Sequence, residues 1–148
     1  MRKIRTSFHI VKYGITNLIY YLPYIIKDRD WDDSFIYMLL YAKLNKLEKY
    51  YESGGNLPFV GWEKENKRIG LCKNLANRLW KRSYDENADL LTPKEYMIDY
   101  ESRDINQKQT KQESYWIIKT MKHSTYMHQQ DKKLLFKILE KHIDKWWD

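Results

Sequence analysis

The residues best equipped for chemistry lie in the segment Arg78-Leu79-Trp80-Lys81-Arg82-Ser83-Tyr84. Arg78, Lys81 and Arg82 are spaced i, i+3, i+4. On a helix this sets three cations on one face while Leu75 and Leu79 turn to the core. Guanidinium forks bind phosphate oxygens in pairs, and an ammonium adds a point charge. Trp80 and Tyr84, also four apart, flank that face, and an aromatic plane beside a phosphate cradle stacks on a base. The mixture nominates a ligand-binding site for a nucleotide or a single-stranded nucleic acid. A solvated basic face with its aromatics packed inward has the same composition.

The other polar constellations point elsewhere. Asp28, Asp30 and Asp32 open like a calcium loop, but Asp33 stands where that loop needs glycine and Leu39 where it needs a bidentate glutamate. Their expected role is to cap the next helix and to pair with Arg29 or a basic helix. His9, His123, His128 and His142 have no ligand spacing, and His142 precedes Trp146 by four residues, a packing distance. There is no G-x-x-x-x-G-K, G-x-S-x-G or H-E-x-x-H. Cys72 is the single cysteine, which excludes a disulfide framework and a cysteine-based zinc site. No catalytic residue, metal site or cofactor is expected, and the chain reads as a binding protein rather than an enzyme.

Composition sets the frame. The chain has 148 residues, enough for one domain with a proper core. The 13 Tyr and 6 Trp make the core, and one surface, aromatic, while 5 Gly and 3 Pro suit helices with few tight turns. The net charge of +7 is unevenly spread. Arg2, Lys3, Arg5, Lys12 and Lys27 stand in residues 1–27 without an acid, and residues 63–82 hold seven bases against Glu63 and Glu65. Residues 85–104 are acidic, with seven carboxylates against Lys94 and Arg103. Alternating basic and acidic segments attract phosphate or let a protein pair with itself.

These elements must position the basic segment. Ile15, Leu18, Ile19, Leu22, Ile25 and Ile26 recur at helical spacing in residues 3–26, with Pro23 as a kink. Lys12, Asn17 and Pro23 interrupt the run, so it does not reach the roughly 18–20 apolar residues of a membrane span, and membrane anchoring is the lesser expectation. Ile15, Leu18, Ile19 and Leu22 present more apolar surface than a small bundle needs, which predicts a homo-oligomer built on this helix. A second helix follows Ser34 through Leu39, Leu40, Leu44, Leu47 and Tyr51, and stops at Ser53-Gly54-Gly55-Asn56. A third covers about 62–84 with the stripe Ile69, Cys72, Leu75, Ala76, Leu79. Gly70 weakens it by up to about 1 kcal/mol relative to alanine. A helical turn follows Pro93. A helix near 108–122, a break at His123-Ser124-Thr125 and a final helix over about 126–147 complete the chain. Apolar positions 135, 138, 139, 142, 143 and 146 share one face of that last helix, and its two tryptophans must bury. The fold class is all-α, a single-domain bundle of about five helices closed by the C-terminal one.

Two stretches resemble a known group. Asp30-Trp31-Asp32 with Phe35, Leu39, Leu40, Lys43 and Leu44, and the closing Leu135-Phe136-Lys137-Ile138-Leu139, His142 and Trp146-Trp147-Asp148, are similar to the two ends of small uncharacterised tailed-phage proteins. The resemblance covers about a quarter of the chain. It implies a phage origin, a helical fold and action in the cytoplasm of an infected bacterium, and it carries no catalytic residues. Small basic phage proteins of this kind bind host factors, nucleic acids or the cyclic nucleotides of host immune signalling. The leading expectation is a nucleotide or cyclic-nucleotide ligand held by Arg78, Lys81 and Arg82 with Trp80 or Tyr84. A nucleic-acid-binding accessory protein and a protein inhibitor of a host factor are the alternatives.

Overall fold

The computed structural model describes residues 2–27, 34–53, 61–85, 91–97 and 108–146, with residues 2–10 as backbone. Every regular element among them is helical. Among the described residues four α-helices run from end to end: α1 (Arg2–Ile25), α2 (Ser34–Glu52), α3 (Trp62–Lys81) and α4 (Lys111–His142). Two 3-10 turns, Lys94–Tyr96 and Ile143–Trp146, accompany them. The residues fall into two compact units, 1–80 and 81–148.

In the first unit α1, α2 and α3 share an aromatic and aliphatic core. The expected stripe of α3 is fully inside: Ile69, Cys72, Leu75, Ala76 and Leu79 are buried. From α2 come Tyr37, Met38, Ala42, Leu44, Leu47 and Tyr51, which spread over more than half of its circumference. The Asp28–Asp33 run falls outside the described residues, and α2 begins at Ser34. A Cβ on Gly70 would lie 2.8 Å from the Glu48 carboxylate, the flexible end of a side chain that reaches across to pair with Lys73. A small shift of that side chain makes room for it, so the contact sets no firm requirement for glycine.

The second unit is organised by α4. Its start is a capping box: Thr110 accepts from the Glu113 amide at 3.2 Å, and the Glu113 carboxylate accepts from the Thr110 amide at 2.6 Å. The expected break at 123–125 is absent. With no Gly or Pro, nothing forces the chain out of its helical hydrogen bonds, and Ser124 turns its hydroxyl to Asp85 instead. The helix tightens to a 3-10 turn at Ile143, a common ending where orphan carbonyls need partners, so it stops short of the expected 147. Leu135, Leu139 and Trp146 are buried on the anticipated face, with Trp146 only 2% exposed. Trp147 lies outside the described residues.

Candidate functional site

The helix that carries the basic segment does not end where sequence spacing places it. It closes at Lys81, and Arg82 takes a left-handed backbone with φ 49°. The i, i+4 relation of Arg78 to Arg82, and of Trp80 to Tyr84, presumes a helix that has already stopped. The unit boundary falls between Trp80 and Lys81. Arg78 and Trp80 therefore belong to the first unit, and Lys81, Arg82 and Tyr84 to the second.

The two aromatics each have partners of their own. Trp80 is half-buried, with its ring centroid 5.6 Å from Tyr41 and 6.5 Å from Tyr24. Tyr24 in turn meets Tyr20, which meets Tyr21 edge-on, so Trp80 joins a cluster of tyrosines. Burial first, then the neighbouring phenols of Tyr20 and Tyr41, push the Tyr24 hydroxyl above its ordinary value. Tyr84 is only 6% exposed. Its hydroxyl donates to the Asp131 carboxylate at 2.6 Å, and its ring meets His128 edge-on at 5.6 Å. The Tyr84 ring is thus buried rather than presented for stacking on a base.

The cations keep their exposure, and α3 adds to them. Arg78 and Lys81 are exposed and three residues apart. The same side of the helix continues back through Asn74, Leu71, Lys67 and Lys64, all exposed. Steps of three and four residues keep these positions on one line. At the helical rise the part of this line in the first unit, from Lys64 to Arg78, is about 21 Å long. Glu63 shares its first turn, where the helix dipole favours a carboxylate. The other acid of that turn, Glu65, is buried and paired with Arg68. Lys64 and Lys67 are the residues that the segment 78–84 alone does not reveal. Their spacing from Arg78 along a helix without acids beyond Glu65 is the signal that finds them.

The remaining surfaces offer little chemistry. Cys72 is buried, and burial pushes its thiol up to about 11, far from a reactive thiolate. Among the described residues no three His, Cys, Asp or Glu side chains gather to hold a metal ion. An open groove of about 510 Å³ runs along α4, lined by Ile118, Met121, Lys122, Thr125, Tyr126 and Gln129, with no acid–base pair in it. The four residues expected at a self-association interface, Ile15, Leu18, Ile19 and Leu22, are all exposed on α1. The chain matches no protein-family model, no curated protein and no solved structure.

Proposed function

We propose that this chain is a non-catalytic accessory protein that binds the phosphate backbone of a nucleic acid along the exposed side of α3. The observation that carries the reading is the exposed line Lys64, Lys67, Leu71, Asn74 and Arg78 of the first unit, at helical spacing over about 21 Å. An extended row of cations suits a polymer of phosphates, because each cation displaces a condensed counterion. A single nucleotide needs a compact pocket with a stacking ring. The burial of Tyr84 and the packing of Trp80 on Tyr24 and Tyr41 argue against that second requirement. The similarity of the two chain ends to tailed-phage proteins supports an origin in a phage and work inside an infected bacterium.

The competing reading is a nucleotide or cyclic-nucleotide ligand, sequestered as an immune signal, with Arg78 and Lys81 on its phosphates. The two differ in salt and length dependence. Polymer binding strengthens with DNA length and falls steeply with salt. Nucleotide binding saturates at a defined stoichiometry, discriminates among small ligands and responds weakly to salt. Fluorescence anisotropy with labelled 10- and 30-base-pair DNA, and with cyclic dinucleotides as competitors, separates them. Absence of binding to either class at micromolar protein refutes both.

A further inference from the structure

The side of α1 that meets the protein is its less apolar side. Tyr20 donates its hydroxyl to the Ala42 carbonyl at 3.0 Å, Asn17 accepts from Lys46, and Tyr24 leans toward Trp80. The aliphatic residues lie opposite. Val11, Ile15, Leu18, Ile19, Leu22, Ile25 and Ile26 are between 43% and 73% exposed. Positions 11, 15, 18, 22, 25 and 26 fall on one line about 22 Å long. A helix that turns its polar and phenolic side inward and its aliphatic side to solvent has an occupant for that side.

The charge pattern chooses the occupant. Residues 1–27 contain Arg2, Lys3, Arg5, Lys12 and Lys27 and no Asp or Glu. Lys12 on this helix and Lys27 in the turn after it are exposed. Two copies of α1 laid against each other bring cations to cations, with no carboxylate on either helix to answer them. An anionic lipid surface answers Lys12 and Lys27, and suits a segment whose sequence holds five bases and no acid. A basic helix with one aliphatic side lies in the headgroup plane with that side among the acyl chains. No described helix is long and apolar enough to cross a membrane, so the helix lies on the bilayer rather than through it.

We infer that α1 docks the protein on anionic membranes, with Leu18 and Leu22 at the centre of the inserted line. This departs from the self-association that hydrophobic spacing alone predicts for the same residues. The test is flotation of the full chain with vesicles of phosphatidylcholine alone and of phosphatidylcholine with 30% phosphatidylglycerol. The expected result is at least tenfold more protein bound to the anionic vesicles. Leu18→Gln with Leu22→Gln preserves the charge and the helix-forming tendency, and should abolish flotation while the melting temperature stays within 2 °C of wild type. The same double variant retains DNA binding, which separates this surface from the line on α3. Equal flotation with both vesicle types, no flotation, or undiminished flotation of the double variant overturns the inference. So does a lipid-free dimer that the double substitution converts to monomer, which assigns the face to a second copy.

Discussion

The Tyr84 hydroxyl donates to the Asp131 carboxylate at 2.6 Å, and both side chains are buried. This bond ties the segment just after α3 to the middle of α4, across 47 residues of chain. A tyrosine that stands beside three cations on paper is thus committed to the interior of the second unit. Tyr84→Phe keeps the ring and removes the donor. It should cost about 1–3 kcal/mol, the range for depriving a buried charged acceptor of one partner. Urea denaturation measures the loss, and anisotropy should show DNA affinity unchanged. A variant that unfolds normally but binds DNA more weakly would make Tyr84 part of the ligand surface instead.

Trp146 is the largest of the fully buried side chains. Trp146→Ala removes most of its packing, and the expected destabilisation is about 3–5 kcal/mol. An unchanged melting temperature would mean that the indole contributes no packing.

Arg82 holds a left-handed backbone directly after the last residue of α3. Glycine takes that conformation without the Cβ penalty, so Arg82→Gly should stabilise the protein by roughly 0.5–1 kcal/mol. It also deletes one cation of the basic segment. Thermal melting should rise by a few degrees while affinity for DNA falls slightly. A drop in stability would show that the Arg82 side chain contributes more than its backbone costs.

Much of this was legible in local spacing. The α3 stripe Ile69, Cys72, Leu75, Ala76, Leu79 follows from steps of three and four, because one inward face is all that a helix on a core requires. Direction is different. Periodicity finds the line Ile15, Leu18, Leu22 but cannot say that Tyr20 and Tyr24 face the protein, since that depends on partners in α2 and α3. The burial of Tyr84 was hidden in the i, i+4 spacing from Trp80 for a related reason. That spacing assumes an unbroken helix, and the left-handed Arg82 and the distant partners Tyr41 and Asp131 carry no local signal. The continuity of α4 through Ser124 and Thr125 was hidden by residues that favour turns only when nothing else holds them.

Cys72 makes stability depend on alkaline pH. In the unfolded chain its thiol ionises near its ordinary value of 9.0, whereas in the folded protein the proton stays until about 11. The unfolded state therefore loses its proton first, and thiolate formation favours unfolding. Stability should hold below pH 9 and decline between pH 9 and 11, with Tyr24 and Tyr51, also raised chiefly by burial, acting in the same direction. Cys72→Ala should lessen the slope in denaturation midpoints across that window. Rapid reaction of the native thiol with a disulfide reagent at pH 8 would contradict the burial on which this rests.

The salt dependence of DNA binding tests the central claim most directly. Three cations on α3, Lys64, Lys67 and Arg78, that each displace a counterion give a slope of log affinity against log salt near −2.7, a loss of about fortyfold between 50 and 200 mM. Lys67→Ala with Arg78→Ala should reduce that slope by about 2 and weaken short and long DNA alike. The account predicts this steep, variant-sensitive slope. A flat salt response, or a slope that the double substitution leaves intact, would contradict it.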